Sequence, residues 1–394
     1  MRVRIFAYTG LLLVAFSTIY IVFEVPRTDF WSLISLYTIG FGGMVLSYKY
    51  ALAKDLYVLL FGGLIVRFFL INVTPELSND FYRFIWDGEM MKMGLLPYVK
   101  TPDEIRSSSP EIFQNAELRT LYHGMGELSS GNHSNYPPIN EFLFFIAAKL
   151  GSTLSAKVMI LRIFTILADI GILFVGLSLL KMKEMDLKKI LFFVLNPFFI
   201  IEFTANLHFE GVMMCFFLIA FWLYLKELKL LSGLFFAFSI LTKVMTLIFL
   251  PFFIRKGNWK KGLIYVGSVA LFTVIFAYPF FMNAGCEGYN SANSLYFKQF
   301  EFNAGLYFAF NGIVSAIAGF NAIQYIGPLF AFMALCGILV WFYKKQDKPV
   351  LEGFELWTIA FFIYLLMSTT VHPWYIGVWV LVGLFTNYLF PIVW

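Results

Sequence analysis

Two aspartates seven residues apart, Asp80 and Asp87, stand in the run Ser78-Asn79-Asp80-Phe81-Tyr82-Arg83-Phe84-Ile85-Trp86-Asp87-Gly88. On a helix this spacing puts both carboxylates on one face, about 10 Å apart along the axis. A carboxylate flanked by aromatic rings at a membrane surface can act as a general base. Tyr82 and Trp86 can form a stacking wall for a sugar ring, with Arg83 between them. The same residues equally suit an amphipathic interface helix with belt aromatics and an acid–Arg surface pair.

Three further groups carry ionisable chemistry. Glu202, Asn206 and Glu210 recur every four residues around His208, which makes one face if a helix continues through them. Arg162 and Asp169 share a helix face in the same way and suit an intrahelical or interhelical ion pair. Lys243, Lys298 and His372, the last in Val371-His372-Pro373-Trp374-Tyr375, are cations able to receive a phosphate. Ionisable groups at membrane depth are costly to leave facing lipid, so each is a functional candidate. Asn135-Tyr136-Pro137-Pro138 ends a loop rigidly, because two prolines fix φ. Asn72-Val73-Thr74 and Asn132-His133-Ser134 match the N-glycosylation pattern, a weak signal.

Other chemistry is missing. The sequence has no phosphate-binding G-x-x-x-x-G-K-[ST], no G-x-G-x-x-G, no D-x-D and no His/Cys cluster with zinc spacing. No nucleotide or metal cofactor is expected, although nothing rules against a divalent ion. Cys215, Cys286 and Cys336 are scattered and read as small apolar side chains.

What must position these groups is membrane helix. The 394 residues are 60% hydrophobic and 20% aromatic, whereas a soluble domain is about 45–50% apolar. Candidate helices are 5–23, 31–48, 56–72, 158–180, 190–206, 211–226, 262–281, 323–343, 354–370 and 376–394. The stretches 139–151 and 306–320 look too short to cross. The expectation is an all-α, polytopic transmembrane bundle of roughly 10–13 segments, half helices included, forming one domain over 1–394. The N-terminal run lacks a small-residue cleavage site and reads as a retained first helix. The last apolar run stops at Trp394, which reads as a short or truncated C-terminus.

Charge supplies a topology. With the N-terminus cytoplasmic, 17 of the 29 Lys and Arg fall in inner loops against 7 of the 24 acids, a net +10. The remaining 12 basic and 17 acidic residues give −5. The bias of basic residues toward one side orients membrane helices, so the net charge of +5 is no sign of a nucleic-acid partner. Lys226/Lys229 and Arg255/Lys256 both belong inside, yet about 25 residues separate them, and two crossings need about 40. The segment 230–254 is therefore expected as two short helices with Thr242-Lys243 at the tip. The loop 73–138 and the turns near 206–211, 282–305 and 369–375 all fall on the outer side.

Asp80-Phe-Tyr-Arg-Phe-Ile-Trp-Asp-Gly, Gly94 and Pro97-Tyr98 resemble the D-x-Y-R-Y-x-W-D-G…G-x-N-P-Y signature of bacterial integral-membrane mannosyltransferases with the GT-C fold. Leu96 stands where that signature has Asn. Tyr136-Pro-Pro, Asn196-Pro197, Glu202, Asn206-Leu-His208, Lys243 and His372-Pro-Trp-Tyr375 are similar to later motifs of the group, in order. The resemblance implies a polyprenyl-phosphate sugar donor, a cavity open to the extracytoplasmic side of the cell membrane, and a catalytic carboxylate where Asp80 stands. The expected activity is inverting transfer of a sugar, mannose above others, to an extracytoplasmic glycan or glycolipid. Asp80 is then the expected base, with Asp87 second; Lys243, His208, His372 and Lys298 are expected at the donor phosphate. Tyr82, Arg83, Trp86, Tyr136, Asn206, Glu210, Trp374 and Tyr375 are expected to hold sugar or lipid. The rival readings are a polar-lipid transporter and a relative with a protein or polymer acceptor. A transporter is expected to show internal repeats, and the loop 73–138 has no counterpart in the second half of the chain.

Overall fold

The computed structural model describes residues 2–282 and 285–393. Among them there are helices and no strands, with a single isolated bridge between Phe302 and Thr370. The fold is a polytopic helical bundle. Six of the described helices are long and apolar enough to cross a bilayer: Arg4–Glu24, Phe30–Tyr50, Leu154–Met182, Lys256–Phe281, Ile323–Lys344 and Val350–Met367. Only 11% of the apolar window in Lys256–Phe281 is buried, so that helix presents most of its circumference outward, as a lipid-facing helix does.

Four shorter apolar helices accompany them: Lys229–Thr242, Val244–Phe253, Gly305–Ala318 and Pro373–Gly383. Two of them realise the broken segment expected from charge. Lys229–Thr242 ends at Lys243, which is extended (φ −152°, ψ 135°), and a 3-10 helix then runs Val244–Phe253. The C-terminal run 376–394 is not one helix; it is helical over Pro373–Gly383 and again over Phe390–Val393.

The expected helix 190–206 is also corrected. Asn196 Oδ1 accepts from Phe198 N, Pro197 opens a new helix without an N–H to donate, and the chain passes into a π-helical stretch, Ile200–Ala205. Leu207 takes φ 63°, and the next helix, Glu210–Leu225, leaves at 105°. Broken backbone at this depth needs partners from the protein. Arg162 supplies them, donating to the carbonyls of Thr204 (3.0 Å), Ala205 (2.9 Å) and Ile71 (2.9 Å). Arg67 does the same for Val194 (2.6 Å) and pairs with Asp169 (2.7 Å). Arg162 and Asp169 are thus not partners of one another; both reach the break from the Leu154–Met182 helix, Arg162 through the Thr204 carbonyl and Asp169 by accepting from the Thr204 hydroxyl at 2.8 Å.

Polar loops gather at two ends. At one, Arg4 meets Asp55, Lys183 meets Glu355, Lys189 donates to the carbonyl of Thr386 and Arg255 to that of Gln346. These are the loops with the basic excess. Single cysteines replacing Lys100 and Asn290, in a background free of native cysteine, should label from outside intact cells; those replacing Met185 and Asn258 should not. Equal labelling of both pairs overturns the assigned orientation.

The Asp80–Lys92 helix, at the other end, packs closely on Pro138–Leu150. Gly88 makes this approach possible: a Cβ there would lie 2.3 Å from the backbone oxygen of Phe144. Overpacking of this kind costs about 1–3 kcal/mol. Gly88→Ala should lower the Tm of the detergent-purified protein. Gly42→Ala, where a Cβ meets nothing within 4 Å, should not.

Candidate active site

Asp80 is the first residue of its helix, and its backbone N–H donates to Ser78 Oγ at 3.3 Å. The helix N-terminus favours a negative charge there. Its side chain, 33% exposed, opens onto a cavity of about 760 Å³. Lys243 reaches the same cavity from the junction of the two short helices, as do Tyr136, His372, Trp374 and Tyr375. From this polar end the cavity continues along an apolar wall. Val244, Leu247, Ile248 and Pro251 form one side, and Ala331, Ala334, Leu335 and Ile338 of the Ile323–Lys344 helix the other.

The cation set is more constrained than its sequence implied. Lys243 Nζ lies 2.5 Å from Glu210 Oε1, and Glu210 is fully buried. The Lys243 ammonium also stands 5.7 Å from the centre of the Tyr136 ring, an aromatic face suited to a cation. His372 is sandwiched, with Trp374 stacked at 4.5 Å on one side and Phe302 at 5.1 Å on the other. Burial, then Lys243 and His208, push its imidazole down to about 4, so it is neutral at neutral pH. It can donate a hydrogen bond to a phosphate but brings no charge. Phe302 is held over the site by two backbone hydrogen bonds, its N–H to the Thr369 carbonyl (3.0 Å) and Val371 N–H to its own carbonyl (2.8 Å).

Several expected site residues lie elsewhere. Asp87 is 1% exposed and paired with Arg83, whose Nε donates to both carboxylate oxygens at 2.8 and 2.9 Å. Burial pushes Asp87 up and Arg83 opposes it. Arg83 also donates to the carbonyls of Ser129 and Asn132, and it lines the cavity while Asp87 does not. Trp86 is 1% exposed and packs on Phe113 and Tyr122, and Tyr82 packs on Phe81; neither forms a wall of the cavity. Lys298 ends the Gly285–Lys298 helix, exposed and outside the cavity lining. Asn206 and His208 are buried behind Asp80 rather than on the cavity wall. Glu202 and Asn206 stay side by side, Asn206 Nδ2 lying 3.4 Å from Glu202 Oε2, but Glu210 does not share their face, because the chain turns at Leu207 before it.

Sequence reading misses Ser129 and the apolar wall, and it reads Asn132-His133 as part of a glycosylation pattern and Asn135 as a loop end, whereas all of them line the cavity. The wall had a signal: 331, 334, 335 and 338 follow the i, i+3, i+4, i+7 spacing of one helix face.

Residues 69–256, just under half of the chain, match the model of a family described as alpha-(1->6)-mannopyranosyltransferase, N-terminal domain. This segment is similar to that mannosyltransferase family's N-terminal domain. The match supports a glycosyltransferase, and mannosyl transfer in general. No curated protein and no solved structure matches the chain. The matched segment contains Asp80, Arg83, His208, Glu210 and Lys243. His372, Trp374, Tyr375 and the Ile323–Lys344 wall come from residues beyond it.

Proposed function

We propose that the protein transfers mannose, with inversion, from a polyprenyl-phosphate donor to a hydroxyl of an extracytoplasmic glycan or glycolipid. The supporting observation is one cavity with two characters: Asp80 and Lys243 at its polar end, and an apolar wall running away from them. An amphiphile with a charged head and a prenyl tail has these two characters in the same order. A nucleotide sugar has no use for the apolar wall.

In the reaction, Asp80 takes the proton of the acceptor hydroxyl as the oxygen attacks the anomeric carbon. The bond from that carbon to the phosphate oxygen breaks with its electron pair, and attack from the opposite face inverts the centre. Lys243 faces the charge that develops on the phosphate, and His372 donates to it. Tyr375 and Tyr136 offer ring faces for the sugar, Trp374 offers only its edge because His208 and His372 stack on it, and the Val244–Pro251 side receives the first prenyl units.

Detergent-purified protein given an alkyl mannoside and radiolabelled polyprenyl-phosphate mannose should yield labelled product, with alpha-(1->6) the linkage to look for. Label arriving from a nucleotide-mannose donor alone overturns the reading.

A further inference from the structure

Behind Asp80 stands a second carboxylate. His208 Nδ1 lies 4.0 Å from Asp80 Oδ2, and its Nε2 lies 3.4 Å from Glu202 Oε2. One imidazole therefore has a carboxylate at each edge. The ring is 1% exposed, and Trp374 stacks on its face at 3.8 Å and 18°. The chain break places it there: Leu207 at φ 63° turns the backbone, and His208 N–H donates to the Glu202 carbonyl at 3.2 Å. Glu202 is held in turn by Asn206 Nδ2 at 3.4 Å and faces the Tyr37 hydroxyl. A further titratable neighbour is His372, across Trp374.

We propose that His208 and Glu202 form a proton relay behind Asp80, an inference that rests on Asp80 being the base. The acceptor O–H bond breaks, its electron pair forms the new glycosidic bond, and the phosphate departs with the pair from the old one. The proton passes to the Asp80 carboxylate and from there to Nδ1 of His208. The imidazolium then lies between two carboxylates, which favour its charge from both sides. Catalytic hydrogen bonds are often long before substrate binds, and the 4.0 Å gap closes with the acceptor in place. When products leave, the proton returns through Asp80 to the cavity. His208 and Glu202 touch no substrate and are positioning residues.

The test uses the full-length protein in detergent with polyprenyl-phosphate mannose and an alkyl mannoside. His208→Gln and Glu202→Gln should each lower kcat about tenfold or more with donor KM within about twofold. Adding His208→Gln to Asp80→Asn should lower the residual rate no further. Glu202→Asp, which keeps the charge, should recover much of what Glu202→Gln loses, and it also serves if the Gln variant fails to fold. In Glu202→Gln the acid limb of the kcat profile should move to lower pH, because the imidazolium has lost its carboxylate. Multiplicative losses in the double variant, equal losses in Glu202→Asp and Glu202→Gln, or a raised donor KM with unchanged kcat each overturn the relay. Full activity of Asp80→Asn instead overturns the base assignment itself, a different outcome.

Discussion

Asp80→Asn should lower mannosyl transfer by about 10²–10⁴-fold while donor binding persists. The amide is nearly isosteric and still hydrogen-bonds, but it cannot accept a proton at neutral pH. The surroundings make this a clean substitution: Asp80 is partly exposed, has no Lys or Arg in ion-pair contact among the described residues, and lies 4.0 Å from His208. Its removal strands no buried charge, so the Tm should stay close to that of the unmodified protein. Asp87→Asn should behave differently. It leaves the Arg83 guanidinium, 4% exposed, without its counter-charge, a change that costs about 3–5 kcal/mol. Activity should then fall together with Tm. If Asp87→Asn abolishes transfer at unchanged Tm and Asp80→Asn keeps more than about a tenth of it, the two roles are reversed. Should both stay active, Glu202 and then Glu210 are the next carboxylates to test.

The contrast between these two aspartates shows what a spacing conveys. Seven residues do return to the same side of a helix, but the Asp80–Lys92 helix runs from the cavity rim into packed protein. One face therefore meets a cavity at Asp80 and Arg83 at Asp87. Trp86 fails as a sugar platform for the same reason, since its indole fills the core between Phe113 and Tyr122. The apolar runs were legible because bilayer thickness imposes a length on them. The junction at Lys243 was legible because two basic loops stood too close together for two crossings. Pairings across the fold were not: Arg67 finds Asp169 from 102 residues away, and Lys243 finds Glu210 from 33. No local pattern encodes which carboxylate a lysine meets. The break after Pro197 was half visible in Asn196-Pro197. The π-helical turn beyond it, and the imidazole that the turn folds back, depend on Arg162 donating to Thr204 and Ala205 from another helix.

Lys243→Ala should weaken donor use by about 10- to 100-fold, the value of one charge-assisted hydrogen bond, and it should also destabilise the fold. The second effect follows from Glu210. Its carboxylate is fully buried, one oxygen is 2.5 Å from Lys243, and the other has no hydrogen-bond partner among the described residues. Leaving such a charge unpaired costs about 3–5 kcal/mol, so loss of activity in Lys243→Ala alone decides nothing. The double variant Lys243→Met with Glu210→Gln removes both charges together and should restore the Tm. Donor KM should remain raised in it, because the cavity has lost its ammonium while His372, neutral beside Trp374, brings no charge in its place. Lys243→Arg keeps a cation on Glu210 and should retain part of the donor affinity. The decisive comparison is between Tm and donor KM in the double variant. If both return to the values of the unmodified protein, Lys243 serves only to neutralise Glu210, and the phosphate must be held by other groups. If Tm returns and KM does not, the ammonium at the junction of the two short helices faces the donor's phosphate.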